Sequence, residues 1–198
     1  MRVHIKPCNA VEFDRGGAIQ AYRQMMECLG IPAVGDMEET PRRVVDSLIE
    51  LGFDEPWNLT TFDLPEAGVG QQGDVGMVIV KDIPLKSLCA HHMLPFYGSA
   101  TVAYIPDKRM VGLSKLARMV QSFMAGPQTQ EIIGMNVADF LMKNVQPRGC
   151  MVVLKATHTC MSIRGACASG ATTTTSTLRG VFYSDMRTRE EAMQLLRV

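Results

Sequence analysis

Cys89-Ala90-His91-His92 sets a thiol and two imidazoles within four residues, and His158-Thr159-Cys160 sets an imidazole and a thiol two positions apart. The two runs hold three of the four histidines in the chain and two of its six cysteines. Any one Cys or His is most often a packed core residue, so the argument rests on the grouping. Thiolate and imidazole are the ligands zinc prefers, and a Cys-x-x-His turn offers two of them to one ion. On a strand, His158 and Cys160 would leave the same face, so one turn and one strand could converge on a single metal. Adjacent His91 and His92 cannot easily both aim at that ion. Cys89, His91, His92, His158 and Cys160 therefore compete for three or four positions, and a histidine left over is a proton carrier beside a metal. This pattern predicts a catalytic Zn2+ with an open position; a closed structural site of Cys89, His92, His158 and Cys160 is the competing reading.

Anion-binding groups lie elsewhere. Ser114-Lys115-Leu116-Ala117-Arg118 reads as a helix start with Ser114 as N-cap and with Lys115 and Arg118 three apart on one face. Backbone N–H groups at such a start already favour anions. Arg164 follows Cys160 by four residues and would share its face on an unbroken strand. Arg43 falls in the first turn of another helix, where the dipole disfavours a cation unless an anion is near. Singly these are ordinary surface charges. As a set they could hold a polyphosphate, each charge-assisted hydrogen bond contributing roughly 1.5–3 kcal/mol. Glu131 opens a helix within Gln128-Thr129-Gln130-Glu131. A carboxylate there could accept the N1–H and 2-amino edge of guanine, although a first-turn acid favoured by the helix dipole is the plainer explanation.

The elements that must position these residues follow from periodicity. The 198 residues suffice for one well-cored domain with an extension, and 20 basic residues balance 20 acidic ones. That balance gives no support for a nucleic-acid or membrane-surface partner. Residues 1–17 lack a signal-peptide core and no apolar run reaches membrane-spanning length, so a cytoplasmic location is expected. The irregular cysteine spacing is no disulfide framework, which makes Cys8, Cys28 and Cys150 expected packing residues. Met25, Met26, Met119, Met124, Met135 and Met142 are expected in the core.

Helices are predicted over 17–29 and, from an N-cap at Thr40, up to Gly52. Residues 53–73, rich in Gly and Pro, read as an irregular connection. Strands are predicted over 75–80, 83–88 and 99–105, with the Cys89–His92 turn between strands. Helices are predicted from Ser114 to about residue 125 and from Gln130 to about 145, then strands over 150–163 and 173–183 and a closing helix over 187–196. Thr172 to Thr175, a run of β-branched residues, belongs to the last strand. The order gives an α+β fold: an antiparallel sheet with a helix pair on one face and N-terminal helices appended. Residues 1–73 form the extension and 74–198 one catalytic domain.

The motifs Glu39-Thr40-Pro41-Arg42-Arg43, Cys89-x-His91-His92, Ala103-Tyr104-Ile105-Pro106, Gly112-Leu113-Ser114-Lys115, Pro127-Gln128-x-Gln130-Glu131, His158-x-Cys160, Arg164-Gly165 and Thr188-Arg189-x-Glu191 resemble the GTP cyclohydrolase I family in order and spacing. The resemblance runs from about residue 17 to the end. It implies a T-fold (tunnelling fold), a homodecamer with active sites shared between neighbours, and conversion of GTP and water to formate and 7,8-dihydroneopterin triphosphate. It also implies that Cys89, His92 and Cys160 bind zinc, with His91 and His158 as acid/base groups. Glu131 with Gln130 would meet guanine, Ser114 the ribose, and Lys115, Arg118, Arg164 and Arg43 the triphosphate. Three positions depart from the family pattern, which usually has Glu at Ala90 and often a basic residue at Ile132 and Cys167. None is a proposed ligand or proton carrier, so altered affinity is expected rather than lost chemistry. A related T-fold enzyme acting on a pterin or deazapurine, or a zinc-stabilised binding module, remains an alternative. A nucleobase deaminase is disfavoured because its His-x-Glu and Pro-Cys-x-x-Cys pairs are absent.

Overall fold

The computed structural model describes residues 2–5, 13–52, 56–64 and 76–197. Strand β1 (Arg2–Ile5) precedes helix α1 (Arg15–Cys28), whose N-cap Asp14 accepts a hydrogen bond from the Gly17 N–H at 2.8 Å. Helix α2 (Thr40–Gly52) has Pro41 in its first turn, where a missing N–H leaves nothing unpaired.

Strand β2 (Trp57–Asp63) occupies part of the stretch expected to be an irregular connection. Pro56 and Pro65 flank this strand in sequence, and buried Trp57 and Leu59 bracket exposed Asn58, a period of two that the surrounding Gly and Pro obscure. It lies between β1 and β5 (Arg109–Val111) in a three-stranded antiparallel sheet.

The strands expected over 75–80 and 83–88 are, within the described residues, one strand, β3 (Val78–Cys89). Its register shifts between Val80 and Ile83, where Asp82 takes a left-handed φ of 56°. A bulge absorbs the extra residues, which is why a break was expected there. Strand β4 (Pro95–Ile105) follows the Cys89–His92 turn. Helix α3 (Leu113–Met124) is N-capped by Gly112 without a side-chain bond, so Ser114 sits inside the first turn rather than at the cap. Two-residue β6 (Pro127–Gln128) runs parallel to the end of β3. Helix α4 (Gln130–Asn144) is capped by the Thr129 hydroxyl, which accepts from the Ile132 N–H at 3.4 Å.

Strand β7 (Gly149–His158) ends earlier than expected, passing into a helical turn, α5 (Thr159–Ser162). Strand β8 (Thr173–Gly180) leads into α6 (Val181–Ser184) and the closing helix α7 (Met186–Arg197).

The main sheet has the order β6-β3-β4-β7-β8 and is antiparallel apart from the β3–β6 pair. Fully buried Leu116, Met119 and Val120 of α3 and Ile133, Val137 and Leu141 of α4 pack with Phe96, Val102, Val152 and Leu154 into one core. Ala103 and Met151 instead join Phe182 of α6 and Ala192 of α7 in a second cluster. This is the expected α+β arrangement, an antiparallel sheet with a helix pair packed on one face. Of the methionines expected in the core, Met26, Met119 and Met124 are buried and Met142 packs half-buried against it, whereas Met25 and Met135 are exposed. Cys150 is buried as expected and Cys28 is exposed; Cys8 lies outside the described residues.

Gly180 turns β8 into α6 with φ 58° and ψ −134°, a region that only glycine occupies comfortably. A Cβ there would also stand 2.2 Å from the Arg148 carbonyl oxygen. Gly180→Ala is therefore expected to lose at least about 1–3 kcal/mol of stability, read as a lowered denaturation midpoint.

Candidate active site

The Cys89 turn is built by its own backbone. Cys89 C=O accepts from the N–H groups of His92 at 3.2 Å and Met93 at 2.8 Å, and Cys89 N–H donates to Leu94 C=O at 2.8 Å. Ala90 N–H donates to Gln128 C=O at 3.0 Å, which ties the turn to β6. In this closed loop Cys89 Sγ stands 3.6 Å from His92 Nδ1 and 3.9 Å from His91 Nδ1.

The second half arrives along β7. His158 is the last residue of that strand and pairs with Phe96, after which α5 bends the chain across the end of the sheet. The Thr159 hydroxyl donates to Pro95 C=O at 2.6 Å and fixes this bend to β4. Cys160 thus sits on a helical turn, where its Sγ lies 3.9 Å from Cys89 Sγ. The expectation that His158, Cys160 and Arg164 share one strand face is corrected: the strand has ended before Cys160, and Arg164 lies exposed beyond α5.

The ligand atoms of Cys89, His92 and Cys160 all lie within 4.8 Å of one another. With Zn–S near 2.3 Å and Zn–N near 2.05 Å, tetrahedral coordination requires about 3.8 Å between two sulfurs and about 3.6 Å between sulfur and nitrogen. The observed 3.9 and 3.6 Å meet both requirements. Two thiols and one imidazole are also a zinc donor set by chemistry, so the residues fit the ion. Burial, and then the neighbouring Cys89 sulfur, push the Cys160 thiol up, so this sulfur would need a cation beside it to be held as a thiolate.

His158 stacks on buried Phe96, with ring centroids 4.5 Å apart and planes 10° from parallel, and its Nε2 lies 2.9 Å from Gln130 Oε1. Burial lowers its pKa below the usual histidine range, with the Glu131 charge opposing, so the neutral imidazole is favoured near pH 7.

A cavity of about 250 Å³ opens on this cluster, and Cys89, His91, His92, Glu131, His158 and Cys160 are in its wall. Thr129, Met161 and Thr173 also line it; nothing in their types or spacing singled them out beforehand. Ser114, Lys115, Arg118, Arg164 and Arg43 do not line it. The C-terminal end of α3 is the end near the metal turn, since Ser87 Oγ, two residues before Cys89, donates to Gly126 C=O at 3.0 Å. At about 1.5 Å per residue, Ser114 lies about 15 Å back along the helix, towards the opposite end of the sheet. There Val111 N–H donates to the Tyr104 hydroxyl at 3.0 Å. Among the departures, Ala90, Ile132 and Cys167 are exposed, and Cys167 takes φ 48°.

Comparison with known proteins gives the family. The family model described as GTP cyclohydrolase I matches residues 18–197. A protein named GTP cyclohydrolase 1 from Aquifex aeolicus (strain VF5) is 45% identical over 185 residues, covering 93% of this chain and 97% of its own. Another of that name from Carboxydothermus hydrogenoformans is 43% identical over 182 residues, covering 89% of this chain and 91% of its own. With a family match across nearly the whole described length, and with two thiols and an imidazole at zinc spacing beside two further histidines, the chain belongs to the GTP cyclohydrolase I family.

Proposed function

We propose that this chain is a zinc-dependent GTP cyclohydrolase that hydrolytically opens the imidazole ring of GTP, releasing formate and forming 7,8-dihydroneopterin triphosphate. The observation that carries this reading is the convergence of Cys89, His92 and Cys160 at zinc-ligand spacing on a cavity also walled by His91, His158 and Glu131. Cys89, His92 and Cys160 would hold the ion, which supplies Lewis acidity for activating water near neutral pH. His91 and His158 are the proton carriers: opening the ring at C8 requires a proton at N7, and later steps require its return. The Glu131 carboxylate, on the first turn of α4, accepts from the N1–H and 2-amino group of guanine and orients C8 towards the metal side. The test is direct. Purified zinc-loaded protein incubated with GTP should release formate in step with a pterin that fluoresces after oxidation; intact GTP would overturn the reading.

The triphosphate groups are proposed to come from a neighbouring copy. Ser114, Lys115 and Arg118 lie along α3, whose start is towards the opposite end of the sheet from the metal cluster. In a homo-oligomer, proposed as a decamer, one chain's metal half would face another's cationic half, with Arg164 and Arg43 adding to the latter. Exposed apolar side chains support such contacts: Leu29 and Val34 are each 65% exposed and Tyr183 is 74% exposed. A cytoplasmic location is part of the same proposal, since unpaired thiols such as Cys89 and Cys160 persist in a reducing compartment. Among the described residues no helix is long and apolar enough to cross a membrane.

Zinc is proposed to serve chemistry rather than folding. Leu116, Met119, Val120, Ile133, Val137 and Leu141 are fully buried in an apolar core, each contributing about 1.5–3 kcal/mol. Chelator-treated protein should therefore keep its far-UV circular dichroism while losing formate release, and added zinc should restore turnover. Unfolding on chelation would instead indicate a structural metal.

A further inference from the structure

The Gln130 side chain is 1% exposed, although it stands at the start of α4 beside the exposed Glu131. Its Nε2 lies 3.0 Å from Leu154 C=O, 3.1 Å from Thr173 C=O and 3.1 Å from Thr175 Oγ1. Two of these partners are carbonyl oxygens, which can only accept. The amide nitrogen must therefore face them, because the reversed amide would set oxygen against oxygen. Its two hydrogens are then taken, so the side chain has no donor left for a ligand. The expected contact of Gln130 with guanine then has no side-chain N–H to draw on.

With the nitrogen committed, Oε1 faces His158 Nε2 at 2.9 Å. An oxygen that can only accept requires a hydrogen on that ring nitrogen. The neutral imidazole is consequently the Nε2–H tautomer, and Nδ1, with no hydrogen-bond partner among the described residues, carries the lone pair. Phe96, stacked on the ring, restricts its tilt. Neither partner is loosely held. Leu154 pairs with Thr175 and Ala156 with Thr173 in the β7–β8 ladder, so the Gln130 acceptors are fixed by the sheet itself.

We propose that Gln130 is a positioning residue that locks His158 in the Nε2–H tautomer and assigns proton exchange with the substrate to Nδ1. The catalytic part of this proposal rests on the cyclohydrolase reading; the tautomer part does not. The Gln130 amide thereby links the orientation of the general acid/base to the β7–β8 ladder and leaves guanine recognition to Glu131.

The experiment is magic-angle-spinning 15N NMR of the zinc-loaded, full-length protein labelled at histidine ring nitrogens, with the His158 signals assigned by their loss in His158→Ala. Wild type should show the Nε2–H pattern at His158, and Gln130→Met should shift it towards a mixture of tautomers. An Nδ1–H pattern in wild type, or an unchanged pattern in Gln130→Met, would overturn the proposal. In turnover, Gln130→Met should lower kcat roughly 10- to 100-fold, with KM for GTP changed less than about threefold. A raised KM at unchanged kcat would mark a substrate contact and also overturn it. If Gln130→Met does not fold, the wild-type tautomer alone still decides. A wild-type Nε2–H signature in a protein that leaves GTP intact would remove the cyclohydrolase reading while the tautomer assignment stood.

Discussion

Cys160→Ala should reduce formate release from GTP by more than about 100-fold, beyond what loss of an outer-shell partner typically costs at a metal site. The reason is geometric. Cys160 is the sole one of the three proposed ligands that arrives from β7 and α5, while Cys89 and His92 share one turn. Without it, two donors 3.6 Å apart remain, too few to hold zinc against solvent. Metal content measured by mass spectrometry should fall together with activity. The fold should survive, because Cys160 packs at the edge of the core rather than within it. Cys150→Ala supplies the contrast. Cys150 is fully buried on β7, its thiol is pushed up to about 12 by burial, and its Sγ lies 3.6 Å from Ala138 C=O. Removing it should lower the melting temperature and leave zinc content unchanged. Full zinc occupancy in Cys160→Ala would refute the assigned ligand set.

Mixing two impaired variants should restore activity. Lys115→Ala is expected to lose roughly 10- to 100-fold in kcat/KM, the worth of one charge-assisted hydrogen bond to a phosphate. Cys160→Ala is expected to be inactive for the reason given above. If each site joins one chain's metal half to another's α3, equal amounts of the two, dissociated and reassembled together, should regain about a quarter of wild-type turnover. That fraction is the share of sites combining an intact Cys160 with an intact Lys115 on neighbouring copies. Recovery no greater than the residual activity of Lys115→Ala alone would mean that each chain completes its own site. The geometry argues for the first outcome, since Ser114 and Lys115 start a 12-residue helix whose other end is the one near the metal turn.

Most helices were legible because each carries a local signal. Gly126 and Pro127 end α3, Thr129 caps α4, and apolar spacing traces both. Strands were less so. The bulge at Asp82 made one long β3 read as two, and the Gly and Pro around β2 concealed Trp57 and Leu59. The end of β7 at His158 was missed because β-branched and apolar residues continue past it to Ile163, whereas the turn is held by bonds the pattern does not show, from Thr159 to Pro95 and within α5.

By itself the sequence singled out five scarce donors, Cys89, His91, His92, His158 and Cys160, grouped in two short runs, and motifs across the chain pointed to the GTP cyclohydrolase I family, a resemblance that implied Cys89, His92 and Cys160 as the ligands. Only the tertiary structure decided how Cys160 reaches the cluster, that Gln130 faces His158, and that Ser114 and Lys115 lie far from the metal in their own chain. The physical reason is that donor identity is written in residue type and local spacing. Hydrogen-bond direction and distance across a sheet depend on strand register and on where each strand ends, and those are settled by packing between elements far apart in the chain.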